Sequence, residues 1–168
     1  EVAGYINWLY FFHAWHFPSN FGRIVLENPR IDTLTKWLSY IPDVEPQKAT
    51  EAFRLWKDAQ KTLNRWIEAS LQTHFKVALY AAYSMGDNVW LPEVQVAIPF
   101  LRQQHNKTKE PCLCWSDFVR PQADAISSDT IGIFAATVDA EMEKWGSGDE
   151  YQRLLSQTLA DRLAEATA

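Results

Sequence analysis

Phe75-Lys-Val-Ala-Leu-Tyr-Ala-Ala-Tyr83 is rich in β-formers and nearly continuous in its apolar character. Such a run predicts a strand in the middle of a sheet, because both of its faces read as apolar. Gly86-Asp-Asn88 follows with turn chemistry, and Val89 to Leu91 starts a return strand that Pro92 interrupts. Val94 to Ile98 reads as a further strand, and Thr130 to Val138 as another, with Gly132 where a neighbour can approach closely. Between them, Pro111 to Pro121 reads as an irregular segment crossing the core.

Helical patterns flank this cluster. After Pro46 a long amphipathic helix is predicted to about Ser70, with a stripe of Ala49, Ala52, Phe53, Trp56, Ala59, Leu63, Trp66 and Ile67. Upstream, Asn7 is suited to cap a first helix from Trp8 to about Phe17, where Pro18-Ser-Asn20 would stop it. Tyr5, Trp8, Phe12 and Trp15 would face the core. A short helix is predicted around Asp32 to Tyr40. Downstream, a last helix opens after Gly146-Ser-Gly148, capped in a Ser147/Glu150 frame or an Asp149/Gln152 frame. Its buried stripe would be Tyr151, Leu154, Leu155, Leu159, Leu163 and Ala166. Helices, then strands, then a helix predict an α+β fold with a mostly antiparallel sheet packed with helices.

Composition narrows the function. The 168 residues fit one domain with a real core, and the many aromatics (eight Trp, nine Phe, six Tyr) read as core filling. A formal net charge of −5 argues against nucleic acid, whose phosphates need cationic partners. No apolar run reaches membrane-spanning length, and no signal peptide is visible. The chain starts at Glu1, which reads as a fragment. Cys112 and Cys114 sit too close for an unstrained bridge, so they read as reduced thiols of a cytoplasmic protein.

Chemistry-bearing patterns are few. His13 and His16 could share a helix face, but with His105, Cys112 and Cys114 they make no metal-finger spacing. Cys114 with His74 or His105 would be a nucleophile–base pair only if the fold joined them. Ser84 and Ser116 lack a nucleophile-elbow context, and no glycine-rich loop follows a strand. Neither a catalytic residue nor a metal ligand is predicted. Asp161 and Glu165 share a face of the last helix, with Arg162 three residues before Glu165. This reads either as a solvated, salt-bridged face or as Glu165 offering charge to a cationic ligand.

Several segments also resemble, in order, the C-terminal activation domain of cobalamin-dependent methionine synthase. Tyr5-Ile-Asn-Trp8 with Phe11-Phe12 and Trp15 is similar to that family's Tyr-Ile-Asp-Trp-x-x-Phe-Phe-x-x-Trp opening. Arg54-Leu-Trp-Lys-Asp-Ala59, Leu101-Arg-Gln-Gln104, Cys114-Trp-Ser-Asp-Phe-Val-Arg-Pro121, Thr130-Ile-Gly-Ile-Phe-Ala135 and Leu159-Ala-Asp-Arg-Leu-Ala-Glu-Ala166 follow collinearly. The resemblance implies a module that binds S-adenosylmethionine and supports reductive methylation of cobalamin in methionine biosynthesis. The cobalamin would be held by a partner domain, and a flavodoxin-type donor would supply the electron. It implies ligand contacts at Asn7 and Glu165, with Glu165 near the sulfonium. Asn7 stands where the family has Asp, so it keeps an acceptor oxygen, loses the charge and gains two donors. The family's Arg-Pro-Ala-Pro-Gly-Tyr segment would lie beyond Ala168, and residues 28 to 46 read as longer than in the family. These departures carry the alternative expectation: a degenerate, non-catalytic module that docks a cobalamin-binding domain without binding S-adenosylmethionine.

Overall fold

Unit 1 of the computed structural model, Glu1–Phe75 with Ala136–Ala168, holds the helices, and unit 2, Lys76–Ala135, holds most of the sheet. Residues 1–105, 110–122, 128–146 and 148–168 are described. Among them are α1 (Trp8–Ala14), α2 (Asn20–Glu27), α3 (Leu34–Ser39), α4 (Pro46–Glu68), α5 (Ala140–Lys144) and α6 (Glu150–Thr167). The strands are β1 (Thr73–Met85), β2 (Asn88–Leu91), β3 (Val96–Pro99) and β4 (Asp129–Val138). The fold is α+β, as the segregated runs of helical and strand patterns predict.

The core of unit 1 is aromatic. Trp37 of α3 stacks between Phe21 of α2 and Trp56 of α4, at centroid distances of 5.8 Å to each. Its indole N–H donates to the Ala49 carbonyl at 2.9 Å, so the buried ring carries no unpaired polar atom. Phe11 and Phe12 of α1 are fully buried beside it. Helix α2 reaches α1 this closely only because Gly22 has no side chain. A Cβ there would lie 2.6 Å from the Cα and N of Leu9.

Helix ends follow backbone conformation more than the proline signals. Helix α1 stops at Ala14, short of the predicted Phe17. His16 adopts φ 59°, and Phe17 N–H returns to the Phe12 carbonyl at 2.9 Å. The end of α4 repeats this closure, with Ser70 at φ 57° and Leu71 N–H bonded to the Trp66 carbonyl. Pro18-Ser-Asn20 was expected only as a stop, yet α2 begins there. A proline just before a helix costs no hydrogen bond, because the first amides lack partners anyway. Helix α5 was likewise not expected.

The stripes also shift. Tyr5 is 78% exposed rather than core-facing. On α4, Leu55 is buried and Ile67 is exposed, which rotates the predicted stripe slightly. On α6, Leu155, Leu159 and Leu163 are buried with Ser156 and Ala160, while Leu154 is exposed and Tyr151 is only partly covered, at 38% exposure. Asp149 caps α6, accepting from Tyr151 N–H at 2.8 Å and Gln152 N–H at 3.3 Å. The Ser147 frame falls on a residue outside those described.

The sheet has the order β3-β2-β1-β4, with β1–β2 and β2–β3 antiparallel. A two-residue turn with Gly86 at φ 60° joins β1 to β2, pairing Met85 with Asn88. Strand β3 starts at Val96, two residues later than predicted, because Gln95 takes φ 54° in the preceding turn. Strand β1 is interior in the order, as predicted, yet Val77 and Leu79 are exposed. Hydrogen bonding on both edges of a strand does not require cover on both faces. The small core of unit 2 is Ala82, Val89 and Leu91, with Tyr80, Ile98, Phe100, Val119 and Ile131 against it.

The 111–121 segment was expected to cross the core; it runs beside β1 mostly at the surface instead, with Leu113, Trp115 and Phe118 exposed. Ser84 N–H donates to the Arg120 carbonyl at 2.8 Å, and Cys114 and Ser116 are buried. Arg102 organises it, donating to Asp87, to Asp117 and to the Cys112 carbonyl. Among the described residues, no helix is long and apolar enough to cross a membrane.

Candidate functional site

Asn7 is the N-cap of α1. Its Oδ1 accepts from Leu9 N–H at 3.2 Å and from Tyr10 N–H at 3.4 Å. This is what an Asn before a helix does, since the first amides have no partner within the helix. The oxygen is therefore engaged, and the carboxamide has its two N–H donors left to offer a ligand.

Glu165 lies in the last turns of α6. Its carboxylate pairs with the Arg162 guanidinium at 2.5 Å, the salt bridge that the i,i+3 spacing predicts. The Glu165 side chain is 48% exposed and that of Arg162 24%. The Arg162 guanidinium carbon also lies 6.0 Å from the centre of the Tyr10 ring. Tyr10 itself is 56% exposed.

Two contacts fix how α1 and α6 run. Tyr10 meets Arg162, and Trp15 meets Tyr151 edge to face at 5.6 Å. Rising numbers on α1 match falling numbers on α6, so the helices are antiparallel. Asn7, at the start of α1, and Glu165, near the end of α6, therefore lie at the same end of the pair. Both helices belong to unit 1. The structure thus brings the two predicted site residues to one end, linked through Tyr10 and Arg162. Arg162 was visible in the sequence as a partner for Glu165. Tyr10 was not singled out, although it sits three residues after Asn7 and shares its helical face.

At the other end, α6 is tied to α4. The Tyr151 hydroxyl donates to Asp58 Oδ2 at 3.2 Å. Burial first, and the Asp58 carboxylate second, push the Tyr151 phenol well above its usual range. A cleft of about 530 Å³ also opens in unit 1 beside Trp8, Trp56, Gln60 and Asn64, and neither Asn7 nor Glu165 lines it.

The remaining sequence candidates separate. Cys114 is 3% exposed, with its sulfur 3.7 Å from the Phe100 carbonyl. A thiol so enclosed packs as a small apolar group, without access for a substrate. His74 Nε2 contacts Asp139 Oδ1 at 2.7 Å, and Asp139 Oδ2 accepts from Gln72 N–H at 2.8 Å. His74 first, then the Gln72 amide, holds the Asp139 carboxyl below its usual range. That pair ties the segment entering β1 to the one leaving β4. Among the described residues, no three His, Cys, Asp or Glu side chains converge as metal ligands would.

Residues 1–168 match the family model of the vitamin B12 dependent methionine synthase activation domain. The chain is also similar to a solved MetH reactivation domain bound to AdoHcy, at 30% sequence identity and a TM-score of 0.71. That likeness covers 99% of this chain and 49% of the other, so this chain spans about half the length of that relative.

Proposed function

The chain belongs to the activation-domain family of vitamin B12-dependent methionine synthases, and on that premise we propose that it binds S-adenosylmethionine for reductive methylation of cobalamin. The work would be done in the cytoplasm, as part of methionine biosynthesis. Cobalamin on a partner domain would supply methyl acceptance, after a one-electron reduction by a flavodoxin-type donor. The chain's own share is binding and electrostatics.

The observation that supports this reading is that Asn7 and Glu165 lie at the same end of the α1–α6 pair. A sulfonium has no proton to donate, so it is held by Coulomb attraction and by oxygen lone pairs. Glu165 presents a half-exposed carboxylate that a ligand can reach. Asn7 keeps its amide donors for an acceptor on the same ligand, because its oxygen already caps α1. The solved relative in complex with AdoHcy adds support from outside the chain. Titration calorimetry with S-adenosylmethionine and with AdoHcy is the test. Binding of either in the micromolar to millimolar range carries the reading, and no heat from either at millimolar concentration ends it.

A second reading has its own observation. Asn7 brings no charge, and the Glu165 charge is already met by Arg162. On that reading the chain docks a cobalamin-binding domain without the nucleoside. Retention of such a domain in a pull-down, with silent calorimetry, would select it.

A further inference from the structure

Arg162 places its guanidinium against one carboxylate and over one aromatic ring. These are the two surroundings that hold an organic cation in water: an anion for charge, and a π face for a weakly hydrated group. The guanidinium comes from the chain itself, and its two partners lie on different helices.

We propose that Tyr10 and Glu165 form a cation seat, that Arg162 occupies it when no ligand is bound, and that a ligand's sulfonium enters by displacing Arg162. The inference rests on the functional reading above and deepens it, since it names what the incoming charge must replace. Displacement is easy on physical grounds. An i,i+3 ion pair on a partly exposed helix face is weak, and Arg162 has a long side chain that can swing into water. The sulfonium resembles the guanidinium in being a diffuse cation, and it needs no hydrogen-bond acceptor geometry. The exchange swaps one cation for another. The chain therefore gains little from the charge of its ligand, and the neutral thioether AdoHcy competes well with S-adenosylmethionine. Arg162 acts as a specificity determinant that mutes charge selectivity, and Tyr10 is the second wall of the seat.

The readout is the ratio of the two dissociation constants, AdoHcy over S-adenosylmethionine, by calorimetry at fixed ionic strength. In the wild type that ratio is expected at about 2, and in Arg162→Gln at about 10, because Glu165 is then unpaired. Adding Tyr10→Leu to Arg162→Gln is expected to lower the ratio again by about threefold. A ratio unmoved or reduced in Arg162→Gln, while both nucleosides still bind, overturns the seat and leaves the functional reading standing. Silence from both nucleosides in the wild type and every variant ends the functional reading and this exchange with it. The seat itself is also read without ligand, from the Nε–Hε NMR signal of Arg162. Glu165→Gln and Tyr10→Leu are each expected to shift that signal, and a signal that neither moves shows there is no seat.

Discussion

Both carboxylate oxygens of Asp117 accept from the Arg102 guanidinium, Oδ2 from Nη1 at 2.6 Å and Oδ1 from Nη2 at 2.7 Å. The same Oδ2 accepts from Cys114 N–H at 2.8 Å, and Arg102 reaches on to Asp87. Arg102 first, then the Cys114 amide, holds the Asp117 carboxyl down to about 2. A lowered folded-state value stabilises the fold above the ordinary carboxylate range, near pH 4, and that contribution is lost as pH falls toward 2. Asp117→Asn is expected to speed amide exchange at Cys114 several-fold at neutral pH. The gap between variant and wild type should close as pH falls from 5 to 2. An exchange rate that Asp117→Asn leaves unchanged at neutral pH would show that the clamp does not hold this segment.

At Gly22, α2 comes into close approach with the backbone of α1. The atoms a Cβ would meet are backbone, with Leu9 Cα and N at 2.6 Å and Trp8 C at 2.8 Å. Backbone inside a helix cannot swing aside as a side chain can, so the two helices must separate. Gly22→Ala is expected to destabilise the protein by about 1–3 kcal/mol, the range for overpacking a tight core. Urea denaturation followed by tryptophan fluorescence measures this, and a midpoint equal to wild type would contradict the close approach.

Trp37 tests the aromatic core more directly. Trp37→Phe keeps a ring between Phe21 and Trp56 but removes the hydrogen bond to the Ala49 carbonyl. The orphaned carbonyl and the smaller ring are expected to cost about 2–3 kcal/mol, and Trp37→Ala about 3–5 kcal/mol. Chemical denaturation orders the three proteins, and the ranking wild type, Phe, Ala is the expected one.

What the sequence made legible follows from which interactions are local. Asn7 as an N-cap, Pro46 opening α4, and the Gly86-Asp87 turn each depend on a few adjacent residues, and each is found as read. The Arg162–Glu165 pair belongs with them, because i,i+3 spacing on a helix decides it. The stop at His16 was hidden, since that residue sits in a left-handed conformation that its identity does not announce, whereas α4 ends close to the predicted Ser70. Leu154 and Ile67 were read as buried from periodicity, but whether an apolar position is covered depends on the elements opposite. Tyr10 was hidden for the same reason. Its partner Arg162 lies 152 positions along the chain, and only the antiparallel packing of α1 and α6 joins them.

Asn7 offers a test of the proposed ligand that spares the fold. Aspartate caps helices as well as asparagine does, so Asn7→Asp keeps the bonds to the Leu9 and Tyr10 amides. It adds a negative charge at the same end of the α1–α6 pair as Glu165. The affinity for S-adenosylmethionine is expected to rise by about fivefold, and that for neutral AdoHcy by less, from a Coulomb term partly screened by solvent. Calorimetry at two salt concentrations checks it, because the gain should shrink as salt rises. An equal gain for both nucleosides would place Asn7 away from the sulfonium.

Tyr151 gives the fold a second pH dependence, at the alkaline end. Burial and the hydrogen bond to Asp58 favour the neutral phenol, so its ionisation lies above the ordinary tyrosine value near 10. An acid whose value is raised on folding stabilises the folded state fully below the unfolded value. That contribution is lost as pH rises through 10 toward the folded value. Tyr151→Phe keeps the edge-to-face contact with Trp15 and drops the bond to Asp58. The variant should be less stable than wild type at pH 8, with the gap narrowing above pH 10. In absorbance titration at 295 nm, one of the six tyrosines should ionise later than the others, and Tyr151→Phe should remove that late step. A late step that survives the substitution would assign the late-ionising phenol to another residue and detach α6 from Asp58.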